Sequence, residues 1–478
     1  MDPTLTIILV LAAGFYMAWT IGANDVANAM GTSIGSKALT WRQAVLIAAV
    51  LEFLGALLVG GSVAETVQSG LVSPDVFQGM AETYILGMLS ALVGSAIWLH
   101  IASTFGWPVS TTHAIVGAIV GFGAIVGGPQ AIYWMDVLAV ASSWIASPLI
   151  AGVIAYALFS GVQRLVLFDP NPVQAARRFA PWIVWVAVAI WVLCILFEGL
   201  KNLHLDFSFP MALLIGVCIG GIGFLIARWF TGRLVVDHPI VEGVYTPGHV
   251  YLVEKAKRSL TRLQLNAADP LASTVEAMLR ELQDLSGGMA KNIPQVHEPS
   301  PYDKVERIFG WLQVMSACFV AFAHGANDVA NAIGPVAACL HVAAYGMTGA
   351  TLAVPAWLLA FGGAGIVIGL ATWGWRVIHT VGQKITELTP TRGFTAEFSA
   401  ALTILAASKM GLPISTTHAL IGALVGVGMA RGLHALNLGT LRQIVGSWIA
   451  TIPAAAAASV GVFYVLRELM PLLHAVCI

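Results

Sequence analysis

Gly22-Ala23-Asn24-Asp25-Val26-Ala27-Asn28-Ala29 returns as Gly325-Ala326-Asn327-Asp328-Val329-Ala330-Asn331-Ala332. Two more blocks return in the same order at nearly the same offset. Pro108-Val109-Ser110-Thr111-Thr112-His113-Ala114 becomes Pro413-Ile414-Ser415-Thr416-Thr417-His418-Ala419, and Ser143-Trp144-Ile145-Ala146 becomes Ser447-Trp448-Ile449-Ala450. Three blocks in one order make chance similarity an untenable account. The chain is built from two related halves.

The surroundings of these blocks set the solvent. The chain has 478 residues, of which 58% are hydrophobic and only 10% charged; a soluble globular chain carries about 25% charged residues. Only a bilayer hides so much apolar surface. The formal net charge of -1 offers nothing to a nucleic-acid partner. Cys194, Cys218, Cys318, Cys339 and Cys477 are scattered without a C-x-x-C pair, so neither a disulfide framework nor a cysteine metal site is expected.

Uncharged runs of about 17–25 residues are candidate spans. Leu5–Ile21, Ala44–Gly61 (broken by Glu52), Tyr84–Phe105, Ile132–Phe159, Trp182–Phe197, Met211–Ala227, Phe309–Ala323 and Leu352–Trp375 qualify, with Phe398–Ser408 and Ile444–Leu466 near the C-terminus. The first lacks a basic n-region and reads as a retained span. The Gly-rich segments Val109–Val126 and Ile414–Met429 either cross or turn back as re-entrant hairpins. If both cross, the all-α chain has about 12 spans.

Basic residues fall in alternate connections, and equivalent loops of the two halves differ. Lys37 and Arg42 follow the first Asn-Asp block, whereas no base lies between Pro335 and Ala350 after the second. Ser62–Thr83 is empty of bases, whereas its counterpart region holds Arg376, Lys384 and Arg392. The positive-inside rule then predicts two repeats of inverted topology, both termini outside, and residues 231–308 in the cytoplasm. The expected organisation is repeat one over 1–165, a two-span linker over 166–230, a helical insert over 231–308 and repeat two over 309–478. In the insert, Asp269-Pro270 starts a helix, Ser273 to Glu276 has capping-box spacing, and Leu271, Val275, Met278, Leu282 and Leu285 form an apolar stripe. A hairpin packing on itself or on the transmembrane part is the favoured reading, ahead of a lipid-surface helix.

A carboxylate inside a span costs at least a few kcal/mol without a partner. Asn24 and Asn28 share a helical face and, with Asp25, offer hard oxygen ligands to a small cation; Asn327, Asp328 and Asn331 repeat the set. The plainer role, polar glue between helices, is outweighed by the duplication. Pro108 and Pro413 open helices capped by Ser and Thr, and the Gly-rich sequence after them places those helix N-termini in the membrane. Ser110, Thr111, Thr112, Ser415, Thr416 and Thr417 could therefore surround one tetrahedral oxyanion. Ordinary capping does not explain two such runs in paired positions. His113 and His418 read as hydrogen-bonding structural residues. Glu52 and Glu397 break the repeat, matching about Ala360 and about Leu92; each either binds a coupling ion or lines the path, and for Glu397 a helix-end carboxylate reaching water is a serious rival.

These paired Gly-Ala-Asn-Asp and Pro-x-Ser-Thr-Thr-His blocks resemble the inorganic phosphate transporter (PiT) family, over nearly all the chain outside Thr231–Ile308. The resemblance implies symport of inorganic phosphate with Na⁺ or H⁺, in some bacterial branches as a metal–phosphate complex, by an inverted-repeat fold that is commonly dimeric. Some relatives carry sulfate. Glu52, Glu397 and Ser-Thr-Thr in place of Ser-Ser-Ser look more like the Na⁺-coupled branch. Beyond the coupling ion no cofactor is expected. The proposed anion motifs contain no Arg or Lys, so cations between Asp25, Asp328 and the anion would supply the attraction. A passive anion channel would need a continuous polar pore rather than paired clusters, and no nucleophile–base pair supports an enzyme.

Overall fold

The computed structural model describes residues 3–198, 207–233, 247–264, 269–291, 300–346, 353–383, 387–432 and 435–476. Leu352, Lys384 and Cys477 lie outside them. Every named element among these residues is a helix, with one isolated bridge between Val72 and Ile132. The first half runs through α1 (Pro3–Gly35), α2 (Trp41–Val59), the short α3 (Gly61–Ser69), α4 (Ala81–Thr104), α5 (Thr111–Phe122) and α6 (Trp134–Val162). Then come α7 (Pro172–Glu198) and α8 (Phe209–Arg233), packed on each other, and the insert helices α9 (Pro247–Gln264) and α10 (Leu271–Lys291). The second half runs through α11 (Pro301–Tyr345), α12 (Ala356–Trp373), the short α13 (Trp375–Gln383), α14 (Pro390–Lys409), α15 (Thr416–Arg431) and α16 (Leu438–Val476).

Nine of the described helices are long and apolar enough to cross a membrane: α1, α2, α4, α6, α7, α8, α11, α12 and α16. The expected 12 also counted α5, α14 and α15. α5 continues as a π-helix over Gly123–Gly127, and at 1.5 Å per residue the helix Thr111–Gly127 and the 16 residues of α15 reach only about 25 and about 24 Å, short of a hydrocarbon core about 30 Å thick. Each packs on the helix before it, α5 on α4 and α15 on α14. Ser110 and Ser415 are extended, and each side-chain oxygen accepts from the backbone N–H three residues on, at His113 and His418.

α1 and α11 run further than hydropathy predicts. Ile21 and Ala323 are where the apolar runs meet Asn-Asp, but both helices continue through the polar block, to Gly35 and Tyr345. Ala, Val and Gly dominate the surroundings and the polar side chains find partners on other helices, so nothing stops the helix.

The two halves interlock. α1 packs on α12 and α11 on α2; α6 packs on α15 and α16 on α5. Glycines permit the approach. A Cβ at Gly22 would overlap the backbone of Ile366, and one at Gly325 the backbone of Glu52. Ile366, rather than a residue near Ala360, thus stands where Glu52 stands in the other half. Glu397 corresponds to Leu92 as expected: each lies 11 residues before the serine (408 − 397, 103 − 92) that meets the Asn of its half.

In the insert α9 and α10 pack on each other. Lys257 Nζ lies 2.8 Å from Glu254 Oε1 and holds that carboxyl below its ordinary range, and Ser286 Oγ donates to the same oxygen at 3.2 Å. The helix begins at Leu271, but the expected capping box is not formed: Ser273 Oγ donates back to Pro270 O at 2.8 Å, one turn inside the helix. Of the apolar stripe Val275 is buried, whereas Leu271, Met278 and Leu285 are exposed.

Candidate functional site

The two Asn-Asp blocks and the two Ser-Thr-Thr runs meet at one buried place. Thr111 Oγ1 donates to Asp25 Oδ2 at 2.7 Å, and Thr416 Oγ1 donates to Asp328 Oδ2 at 2.7 Å. Each bond joins a long helix to the short helix of its own half. The neighbouring asparagines cross over. Asn28 Nδ2 donates to Thr417 Oγ1 at 2.8 Å and to Asp25 Oδ1 at 3.0 Å; Asn331 Nδ2 donates to Thr112 Oγ1 at 3.1 Å. Thr417 Oγ1 lies 3.2 Å from Val109 O, and Thr112 Oγ1 2.9 Å from Ile414 O, so each short helix is also tied to the segment that opens the other.

Asn24 and Asn327 pin the turns before those helices. Asn24 Nδ2 donates to Ser103 Oγ at 2.9 Å and Trp107 O at 3.1 Å; Asn327 Nδ2 donates to Ser408 Oγ at 3.0 Å and Leu412 O at 3.2 Å. Behind the site His113 and His418 pack ring to ring at 4.5 Å, each against a tryptophan of its own half, Trp144 at 3.9 Å and Trp448 at 3.6 Å. Their Nδ1 atoms lie 3.5 Å from Trp448 O and 3.0 Å from Trp144 O, across the halves.

The repeat alone misses His324. It sits on α11, buried, with Nε2 2.9 Å from Asp328 Oδ2 and 3.8 Å from Asp25 Oδ2, and Nδ1 3.3 Å from Glu52 Oε1. One imidazole thus faces three buried carboxylates. Even protonated it offsets a single charge, so with all three carboxylates ionised the cluster is at least two charges negative. Asp25, His324 and Asp328 each offer one ligand atom, all within 4.8 Å of one another, to a cation. The amide oxygens of Asn24, Asn28, Asn327 and Asn331, Asp328 Oδ1 and both oxygens of Glu52 are buried without a hydrogen-bond partner. Buried acceptors are rarely left so. Hard oxygen lone pairs of this kind can accept a cation.

Glu397 stands apart from this cluster. Thr32 and Ser33 of α1 donate to its Oε1 at 2.5 and 2.6 Å, Gln313 Nε2 donates to the same atom at 3.2 Å, and Ser316 Oγ donates to Oε2 at 2.6 Å. Thr32 lies two turns beyond Asp25 on α1, about 10 Å along the axis. Glu397 is fully buried, so the picture of a carboxylate reaching water does not describe it. Ser110 and Ser415 differ from the other hydroxyls expected to meet the anion: their oxygens serve as helix caps.

Residues 21–459 match the model of the Phosphate transporter family. The chain is 46% identical over 454 residues to the Inorganic phosphate transporter 2-1, chloroplastic, of Arabidopsis thaliana, covering 94% of this chain and 70% of that protein. It superposes with a TM-score of 0.79 and 35% identity on a solved structure described as the sodium-dependent phosphate transporter, covering 97% of this chain and 99% of that one. On motif, sequence and architecture together, this all-helical membrane chain belongs to the phosphate transporter family.

Proposed function

We propose that the chain is a secondary active transporter that carries inorganic phosphate with Na⁺, by alternating access to a site between two inverted repeats. The observation that carries this is the set of unpartnered acceptors around Asp25 and Asp328 beside the hydroxyls of Thr111, Thr112, Thr416 and Thr417. Bare carboxylates repel an oxyanion; cations held by Asp25, Asp328, the four asparagines and Glu52 remove that repulsion and attract it. Hydroxyls and the N-termini of α5 and α15 then supply donors. Ser110 and Ser415 contribute through the helix starts they cap. Neither ion binds well alone, and that reciprocity is the coupling. Glu397, in its ring of hydroxyls, holds a further coupling ion. The superposed transporter is described as sodium-dependent, which supports the same ion here.

His324 favours a second reading of the driving ion. A titratable ring among three carboxylates suits H⁺ coupling as well. Uptake of labelled phosphate and labelled sulfate into proteoliposomes, with and without a Na⁺ gradient at two fixed pH values, decides among these. Na⁺-driven accumulation of phosphate over sulfate is expected. Uptake that ignores Na⁺ and follows pH overturns sodium; uptake that never exceeds equilibrium makes the chain a passive anion channel and overturns symport.

In the proposed arrangement the chain lies in the cell membrane as a homodimer, with both termini outside and residues 231–308 in the cytoplasm. Cysteines at Ser69 and Asp284 should label from outside and inside respectively; Met347, in the loop expected to share the outer face, lies outside the described residues.

A further inference from the structure

α7 is the floor of an apolar groove whose walls are α8 and α11. Its volume is about 310 Å³, and its lining includes Val184 on the floor, Ala227 and Phe230 on one wall, and Trp311, Leu312 and Met315 on the other. Phe230 and Trp311 face each other across it with ring centroids 6.2 Å apart, and both are exposed. No described segment of the chain covers them.

The groove has a charged end. α7 and α11 begin there and α8 finishes there. Arg177 Nε and Nη2 donate to Thr231 O and Gly232 O at 2.8 and 2.7 Å, tying the start of α7 to the end of α8. Lys304 lies on the face of α11 that carries Ile308, Trp311 and Met315 into the groove, one turn nearer the end. Arg307 is exposed one turn before Trp311, and Arg233 lies over the Trp229 ring at 3.6 Å. Among the described residues no carboxylate pairs with Lys304, Arg307 or Arg233. Of the acidic groups at this end of α11, Asp303 Oδ2 accepts from Ser300 N at 2.9 Å, and both Glu306 oxygens accept from Thr391 at 2.8 and 2.9 Å, so both turn toward donors other than Lys304 and Arg307. An apolar trough capped by cations with which no described carboxylate pairs matches a molecule with a hydrocarbon tail and an anionic head.

We propose that this groove is a binding site for an anionic phospholipid, with one acyl chain between α8 and α11 and the head-group phosphate among Lys304, Arg307 and Arg233. The site is separate from the buried Asp25–Asp328 cluster and does not depend on its reading. It bears instead on Glu397 through α11: Leu312 and Met315 line the groove, while the adjoining Gln313 and Ser316 hold Glu397. A lipid in the groove braces the stretch of α11 that positions that carboxylate.

Native mass spectrometry of the full chain, purified and exchanged into phosphatidylcholine or phosphatidylglycerol of matched chain length, reads occupancy directly. Phosphatidylglycerol retained over phosphatidylcholine is expected in the parent. Lys304→Gln with Arg307→Gln should weaken retention by about 5-fold per charge removed, and Ala227→Phe, which fills the trough and leaves the charges alone, should weaken both lipids. Normal elution and unchanged phosphate uptake at saturating Na⁺ certify that the variants fold. Equal retention of the two lipids by the parent, or parent-like phosphatidylglycerol retention in the double variant, overturns the proposal. So does displacement of the lipid by millimolar inorganic phosphate, which would make the basic end a free-phosphate site, or cross-linking of Trp311→Cys to a second chain in the bilayer, which would make the groove an interface between copies.

Discussion

Asn28 reaches from α1 to Thr417 of the opposite half, its Nδ2 donating to Oγ1 at 2.8 Å. The same asparagine donates to Asp25 at 3.0 Å, so one amide links a carboxylate of the first half to a hydroxyl of the second. Both side chains are buried, and the amide oxygen of Asn28 has no hydrogen-bond partner. Asn28→Ala and Thr417→Ala should therefore be non-additive. Each alone weakens phosphate uptake at limiting concentration. The pair should cost less than the sum, with a coupling energy on the order of 0.5–3 kcal/mol. Half-saturation for phosphate in the parent, both singles and the double at saturating Na⁺ gives that energy. Strict additivity would mean that the contact does not act in the transporting state.

Thr111 and Thr416 supply the second test. Their hydroxyls now point at Asp25 and Asp328. If each hydroxyl turns to the anion when phosphate arrives, Thr→Ala at either position removes a donor to a charged group, worth about 1.5–3 kcal/mol. Phosphate affinity should fall about 10-fold or more, and Thr→Ser should restore most of it because the hydroxyl returns. Parent-like affinity in both alanine variants, with normal expression and elution, reduces the motifs to structural joints.

Much of this site is legible from the repeat alone. The paired blocks name the four segments that meet, and the Pro-Ser pattern names where two helices begin. What local patterns do not carry is long-range satisfaction. Hydropathy stops the first span at Ile21 because polar residues follow; α1 continues because Ser103, Trp107, Thr111 and Thr417 lie ready to receive those polar groups. His324 escapes a search for repeats because its counterpart is Ile21, so duplication gives no signal there. An ionisable residue so close before an intramembrane Asn-Asp block is itself a sufficient signal. Residue type groups Glu397 with the other proposed ion ligands, whereas its partners come from α1 and α11 and enclose it separately. Nothing in the spacing of those residues foretells the ring they make.

Because Glu397 and Glu52 occupy different surroundings, their neutral variants should differ. Glu397→Gln keeps the shape but turns one acceptor into a donor facing hydroxyls and Gln313, four groups that now donate to a carboxylate. It should raise the Na⁺ concentration for half-maximal uptake several-fold, while phosphate affinity recovers once Na⁺ is saturating. Glu52 has no hydrogen-bonded partner and faces His324 at 3.3 Å. Glu52→Gln leaves that imidazole with the two aspartates and should change the pH dependence of uptake more than its Na⁺ dependence. Sodium titrations at two pH values compare the two directly; identical behaviour would dissolve the distinction.

In the proposed mechanism the two aspartates carry the coupling itself. Asp25 accepts from Thr111 and Asn28, and Asp328 accepts from Thr416 while facing His324 at 2.9 Å. Asp→Asn at either position keeps the volume and removes one negative charge from a cluster with three carboxylates and one imidazole. If those charges hold Na⁺, each variant needs more Na⁺ for half-maximal uptake, and phosphate affinity at fixed sub-saturating Na⁺ falls with it. Linkage demands both together: whatever Na⁺ adds to phosphate binding, phosphate adds to Na⁺ binding. A coupling of about 1–3 kcal/mol, typical of linked sites, is about 5- to 150-fold in affinity. Asp328→Asn should lose more than Asp25→Asn, because Asp328 Oδ1 has no hydrogen-bond partner and is the more available ligand atom, whereas Asp25 Oδ1 already receives Asn28. Phosphate uptake over a Na⁺ series, in the parent and both variants, reads all three quantities. A fall in phosphate affinity with no change in Na⁺ dependence would separate the aspartates from the cation and return them to the anion site as hydrogen-bond acceptors for the threonines. Parent-like uptake in both variants would remove them from the mechanism.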